Sequence, residues 1–403
     1  MTVCVTGMAW STALGTGLSE VWHRLLDGES GIVEVPSRDR LRNRLAAPVI
    51  VPTAEQTAAA RQGALAADTI TRASADAGLV PFSRDPGPGG DRLDDEPHVV
   101  MGTSFGAQLD DDAPMDRWAA EVARELGMRR PPIVVSTACS SGSDAIAVGA
   151  ALLRSGTARV CLCAGVDVLT PAKRLGHSAL GTMSPTRLRA FDRRADGTLL
   201  GEGGACLVLE TEESARCRGA VPYAVLHGAG TVNDGAGMTA PDPSGDSVVR
   251  AVRGSLTGTG FDVADVTVVN AHGSGTPAND AVETVSLARL FGGGHRPVVF
   301  ATKGAFGHSL GATGAVEAIA VILALRRGWA PPVHGLRDVV DGFAPPLPAG
   351  RPAAVGKGLG LSLTLGFGGF ITCLAFGAWD AAGDDAHEGG QARGEPDGHA
   401  GRR

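Results

Sequence analysis

Long apolar runs are missing from this chain of 403 residues. None reaches the roughly 18 residues of a membrane-spanning helix without a charge, a glycine or a proline inside it, so no membrane span is expected. A basic leader is missing too, and Met1 to Gly7 reads as a first strand, not as a secretory signal. The seven cysteines lack disulfide spacing, and their odd number suits free thiols in a reducing cytoplasm. Cys161 and Cys163 alternate on one strand with no second pair to complete a metal site. Positive charge is in deficit: the net charge of −7 argues against a nucleic-acid surface. About half of that excess lies after Trp379, where six acids meet three arginines. Lysine is scarce. Only Lys173, Lys303 and Lys357 stand among 36 basic residues, so each is a choice made against an arginine background.

What is present is ordinary for a globular enzyme: 43% hydrophobic and 20% charged residues, in a chain long enough for one large α/β unit or two fused halves. Short β-branched runs alternate with Ala/Leu-rich ones. Strands are expected at Val3–Gly7, His98–Ser104, Ile133–Ser136, Arg159–Val168, Ala205–Glu210, Val266–Ala271, Val298–Lys303, Gly360–Gly366 and Ile371–Trp379. Most are continuous apolar runs, as for strands covered on both faces. Helices are expected at Thr53–Gly78, Pro114–Gly127, Gly142–Arg154 and Gly314–Arg327, which together give an α/β layered fold. The last two carry the same tetrapeptide, Ala145-Ile-Ala-Val148 and Ala318-Ile-Ala-Val321. Both follow a cluster of small residues, so a fused pair of similar halves is plausible. Pro86–Pro97 reads as an exposed loop, and 380–403, almost free of apolar side chains, as a disordered tail.

Three strand ends carry chemistry. Thr137-Ala-Cys139-Ser-Ser-Gly142 joins a strand to a buried helix, the geometry of a nucleophile elbow. Unpaired N–H groups there would stabilise a thiolate, lower its pKa and hold an oxyanion. The alternative is a small buried hydrophobe, the fate of most cysteines. Asn270-Ala-His272-Gly-Ser-Gly-Thr276-Pro-Ala-Asn279-Asp280 presents a histidine beside two glycines, though a lone histidine is as often structural. Lys303-Gly-Ala-Phe-Gly307-His308-Ser-Leu-Gly311 adds a second histidine and a compact ammonium. Glu317, one turn into an apolar helix, needs a partner there, and Lys303 is the candidate. Gly366-Phe367-Gly-Gly369 closes a further strand, and alone it would be a simple turn.

Together these four segments closely resemble the β-ketoacyl synthases, in the branch of stand-alone type II fatty acid and polyketide enzymes. The resemblance runs from Val3 to about Ala378. It implies a thiolase-like duplicated αβαβα five-layer fold, with an N-terminal half over 1–245 carrying the nucleophile and a C-terminal half over 246–379 carrying the histidines. It implies an acyltransferase that condenses an acyl thioester on Cys139 with malonyl-acyl carrier protein, releasing CO2. His272 and His308 would hold the enolate, and Lys303 and Glu317 would organise the histidines. The amides of Cys139 and Phe367 would form the oxyanion hole, with the Phe367 ring as a gate. Neither metal nor cofactor is implied, the substrates being carried on the phosphopantetheine of acyl carrier protein. Arg187, Arg189, Arg193 and Arg194 are candidate docking residues for that acidic partner.

Departures from the family pattern bear on the substrate. Ser274 stands where threonine is usual and keeps the hydroxyl; with Thr276 it is expected to bind substrate. Phe370-Ile371 replaces a small polar residue and asparagine, so Phe370 is expected to reshape the pocket. Phe105 and Leu109 are expected to set pocket depth across a dimer interface. That dimer is either a homodimer or a heterodimer with a chain-length-factor-like chain. A non-condensing binding subunit of the same fold, a degradative thiolase, a Cys-His-Asn initiating synthase and a cysteine hydrolase are the competing readings. Cys139 with two histidines and Lys303 favours the elongating synthases.

Overall fold

The computed structural model describes residues 1–49, 57–79, 96–107, 109–110 and 114–379. The expected loop at 86–97, except its last two residues, and the tail at 380–403 lie outside them. Ten strands form one sheet: β1 (Val3–Ser11), β2 (His98–Gly102), β3 (Ile133–Val135), β4 (Val160–Asp167), β5 (Gly203–Thr211), β6 (Ala224–Asn233), β7 (Val266–Asn270), β8 (Val298–Phe300), β9 (Leu359–Leu365) and β10 (Phe370–Ala378). Their spatial order is β8-β7-β9-β10-β6-β1-β5-β4-β2-β3.

That order contains a repeat. From β1 outward the pairings to β5 and β4 are antiparallel, and those to β2 and β3 parallel. From β6 outward the same sequence recurs through β10, β9, β7 and β8. Each strand of the second set thus matches the strand five places earlier in the chain. A short antiparallel ladder, Val3 opposite Leu226 to Val5 opposite Ala224, joins the two sets.

Helices α1 (Ala58–Asp76), α2 (Ser141–Arg154), α3 (Asp246–Leu256), α4 (Pro277–Phe291) and α5 (Thr313–Arg327) complete the layers that matter for the site. α1 covers β1 and β5, while α3 covers β6 and β10. α2 and α5 pack against each other and against strands of both sets, so they form the central layer. Their composition requires this. Every residue of α5 from Thr313 to Ala324 is buried, and an all-round apolar helix has no face to give to water. Ile319 and Ile322 are fully buried, each contributing about 1.5 to 3 kcal/mol. The result is the five-layer αβαβα duplication implied by the resemblance.

Glycine lets the two central helices meet at their N-termini. A Cβ on Gly142 would lie 2.8 Å from the Ala315 amide nitrogen, and one on Gly314 would lie 2.2 Å from the Ser143 hydroxyl. The turns before them match as well: 3₁₀ turns at Ala138–Ser140 and Leu310–Ala312, each opening on a non-glycine residue with positive φ, Ala138 at 51° and Leu310 at 49°. The second set of strands begins with β6 at Ala224. The division expected between 245 and 246 falls after this strand, whose glycines hid it from a pattern reading.

Candidate active site

The elbow of the first repeat presents Cys139 and the matching turn of the second presents His308. Sγ of Cys139 lies 3.1 Å from Nε2 of His308, and both groups are buried. The backbone N–H of Leu310 donates to His308 Nδ1 at 3.3 Å, so Nδ1 is an acceptor and Nε2 carries the hydrogen of the neutral ring. His272, just beyond the end of β7, meets His308 with the two rings nearly perpendicular and their centroids 5.2 Å apart; its Nδ1 is sealed without a partner. Burial first, then the charge of Lys303, pushes both imidazoles well below the ordinary histidine range, so both are neutral at neutral pH.

Lys303 and Glu317 form a buried pair, Nζ to Oε1 at 2.7 Å. The ammonium also donates to the backbone carbonyl of His272, and Thr302 donates its hydroxyl to the same Glu317 oxygen at 3.1 Å. The partnership expected from sequence is therefore present, and it ties α5 to the His272 loop.

The thiol differs from expectation. Cys139 sits in the 3₁₀ turn ahead of α2 and is only 3% exposed. Burial pushes its pKa up to about 12, with Lys303 and the Phe367 backbone N–H pulling the other way. Desolvation outweighs the favourable field expected at a helix start, so the resting group is a thiol.

A cavity of about 160 Å³ opens over these groups, bordered by Cys139, His272, His308, Ser274, Thr276 and Phe367. Ser274 and Thr276 hydroxyls bond each other at 2.9 Å. The half-buried Phe367 ring stacks on His177. Phe370 does not border this cavity. It is 37% exposed and borders an outer groove with Thr137 and Asp144, while its neighbour Ile371 lines the cavity. Consecutive strand residues face opposite ways, although Ile371 reaches the outer groove as well. Phe105 and Leu109 are exposed and do not border this cavity. Arg193 and Arg194 pair with Asp341 and Asp192 respectively, and Arg187 is exposed.

Several positioning groups escaped the sequence reading. Glu283, fully buried on α4, accepts the N–H groups of His272 and Gly273 at 2.7 Å each, and the Asn279 amide at 2.7 Å. Burial still raises its pKa to about 7. Its signal was the spacing of Asn279, Asp280 and Glu283 over one helical turn. Asp167 accepts from the amides of Ser104 and Gly311 at 2.9 Å each and pairs with buried Lys173. Lysine scarcity pointed to Lys173 as much as to Lys303. Asp144 accepts the hydroxyls of Thr137 and Thr372, and Ser140 donates to the Phe370 carbonyl at 2.9 Å. These bonds fasten the Cys139 turn to the strand that follows Phe367, and so fix the two amides relative to each other.

Family models for the β-ketoacyl synthase N-terminal and C-terminal domains match residues 1–215 and 223–337. The chain is 36% identical over 269 residues to 3-oxoacyl-(acyl-carrier-protein) synthase 2 of Mycobacterium bovis, a match covering 65% of this chain and 64% of that protein. It is 34% identical over 262 residues to the enzyme of the same name from Synechocystis, covering 63% of each. Among solved structures, the ishigamide ketosynthase/chain length factor superposes with a TM-score of 0.83 at 28% identity, covering 94% of this chain and 99% of that one. A beta-ketoacyl synthase from Burkholderia phymatum gives 0.81 at 28% identity, covering 94% and 100%. The elbow, the paired histidines and the duplicated sheet thus have one source: the chain belongs to the β-ketoacyl synthase family.

Proposed function

We propose that the protein is a decarboxylating ketosynthase of a type II polyketide or fatty acid pathway, with Cys139 as nucleophile. The observation that carries this reading is the 3.1 Å approach of His308 Nε2–H to Cys139 Sγ inside a cavity shared with His272. In the first half-reaction the Cys139 sulfur attacks the carbonyl of an acyl thioester on the phosphopantetheine of a carrier protein. The N–H groups of Cys139 and Phe367 receive the negative oxygen. The intermediate collapses, expelling the pantetheine sulfur, which leaves with the thiol proton. Its high pKa makes Cys139 a poor free thiolate, so this proton moves as the new bond forms.

In the second half-reaction malonyl carrier protein enters. Its carboxylate leaves as CO2, and the electron pair of the broken bond becomes an enolate whose oxygen accepts from the Nε2–H groups of His272 and His308. The enolate carbon attacks the acyl carbonyl on Cys139. Collapse releases the 3-oxoacyl product and a cysteine thiolate, which recovers its proton from solvent. Loss of CO2 supplies the carbanion, so the sequence of steps calls for no metal or redox group. Ser274 and Thr276 border the route of the pantetheine arm.

The partners proposed are an acyl carrier protein, with exposed Arg187 as a candidate contact, and a second chain in a dimer, identical or chain-length-factor-like. A cytoplasmic location suits the free cysteines, all buried except Cys217. Production of a 3-oxoacyl carrier protein with release of CO2 from malonyl carrier protein supports this function. Tight binding of acyl carrier protein with no turnover would instead favour the non-condensing subunit.

The pKa directions give a pH prediction. Both histidines act here as neutral donors and lie well below 6.5. The neutral form therefore persists as pH falls through 6.5, and activity declines only well beneath it. In Glu283→Gln, which removes the carboxyl at about 7 from this window, condensation by pre-acylated protein is expected to be flat from about pH 6 to 8. A half-maximal point near 6.5, the value of an ordinary histidine, would contradict this. Rapid-quench assays on the acyl-enzyme measure it without the loading step.

A further inference from the structure

The cavity has a third imidazole on its wall, His177 on the helix Pro171–Ala179, with no part in the steps above. Its ring lies 5.5 Å from that of Phe367, the planes inclined by 23°. Thr182 fixes which nitrogen bears hydrogen. The Thr182 hydroxyl donates to the His177 backbone carbonyl at 3.2 Å, and its oxygen lies 3.0 Å from His177 Nδ1. A hydroxyl has one hydrogen. The arrangement that makes both bonds has Nδ1 as the N–H, which leaves Nε2 a bare acceptor. Burial, helped by Lys173, holds the ring neutral with a pKa of about 4.

Several of the other polar groups around the cavity are committed or sealed. Asn279 serves Asp280 and Glu283, and Ser274 bonds Thr276. Thr198 Oγ1 and His272 Nδ1 have no partner but are closed to solvent. No hydrogen bond reaches His177 Nε2 among the described residues, and it is not one of the sealed atoms. Covering such an acceptor with methylenes costs a hydrogen bond to water and returns none. An acyl group that brings its own O–H loses nothing. Cys139 and His177 border the same cavity, so the carbons nearest the Cys139 thioester share that space with this ring.

We infer that His177 is a specificity-determining residue, selecting acyl groups that carry a hydroxyl within a few carbons of the thioester. Nε2 accepts that hydrogen, and the Phe367 stack holds the imidazole in place. The inference rests on the ketosynthase reading. It is tested by loading Cys139 from 3-hydroxybutyryl and butyryl carrier proteins, followed by intact-protein mass spectrometry. The proteins compared are the native chain, His177→Phe, which keeps a ring against Phe367, and His177→Gln, which keeps an acceptor. The readout is a ratio of rates within each protein, so partial unfolding lowers both rates and leaves the ratio unchanged. Native protein is expected to favour the hydroxyacyl group by roughly tenfold, a difference of about 1.4 kcal/mol. His177→Phe is expected to abolish the preference and His177→Gln to keep most of it. Equal rates in the native protein, or a preference that survives in His177→Phe, overturns the assignment alone. Failure of both groups to load native protein also overturns the assignment, and failure of acyl groups of every length overturns the ketosynthase reading with it.

Discussion

His308→Ala is expected to slow condensation by about 10²- to 10³-fold, the usual cost of losing one preorganised donor to a developing oxyanion, while Cys139 still accepts an acyl group. The asymmetry follows from the geometry. In the proposed mechanism the oxygen formed during acyl transfer is held by the amides of Cys139 and Phe367, which belong to the backbone and survive the substitution. The enolate oxygen has only the imidazoles. His308 also touches Sγ at 3.1 Å, so acylation should weaken slightly, within about tenfold. Separate measurement of the two half-reactions decides the matter: equal losses in both would mean that His308 serves the thiol rather than the enolate. An unchanged condensation rate would remove it from the chemistry altogether.

Lys303→Met is expected to cost about 3 to 5 kcal/mol of stability, the range for leaving one partner of a buried pair uncompensated. Glu317 is then a carboxylate 1% exposed with no cation beside it. Its pKa is already raised by burial, with Lys303 holding it down, and removing the lysine lets it rise further. A group whose folded pKa lies above its unfolded value favours the fold below the unfolded pKa. That contribution is lost as pH rises through the folded pKa. The variant should therefore be least impaired near pH 5 and most impaired above neutrality. Lys303→Met/Glu317→Gln should recover much of the loss, because no charge remains buried. Denaturant melts at two pH values test this, and a loss independent of pH would show that packing, not charge, dominates. Activity should not return with stability, since the ammonium also holds the His272 carbonyl and helps keep both imidazoles neutral.

Much of this site was legible because its residues stand at the ends of elements whose patterns are strong. The elbow at Cys139, the loop at His272 and the turn at His308 each follow an apolar strand, so their positions could be read along the chain. Lys303 and Glu317 were legible for an energetic reason: a carboxylate in an apolar helix must have a cation. The same rule covers Asp167 and Lys173, but Asp167 closes a strand where an acid looks like an ordinary end. Glu283 was harder to see because two of its three partners are backbone amides, and only its spacing from Asn279 hinted at it.

The repeat was legible for partly the wrong reason. The elbows and Gly142 with Gly314 define the structural equivalence, and against it the two Ala-Ile-Ala-Val segments are one residue out of register. Strand β6 was missed because Gly228 and Gly230 read as breakers. They are there because α3 lies on them: a Cβ on either would come within 2.0 Å of a helix carbonyl, at Ser255 or Ala251.

The most direct test of the account is the mass of the intact protein after incubation with acyl carrier proteins, for the native chain and for Cys139→Ala, with malonyl carrier protein added afterwards. The account predicts an adduct of one acyl group on native protein and none on Cys139→Ala. It also predicts that the adduct disappears as 3-oxoacyl product forms. A folded native protein that takes up no acyl group of any length, or an adduct that persists in Cys139→Ala, would contradict it.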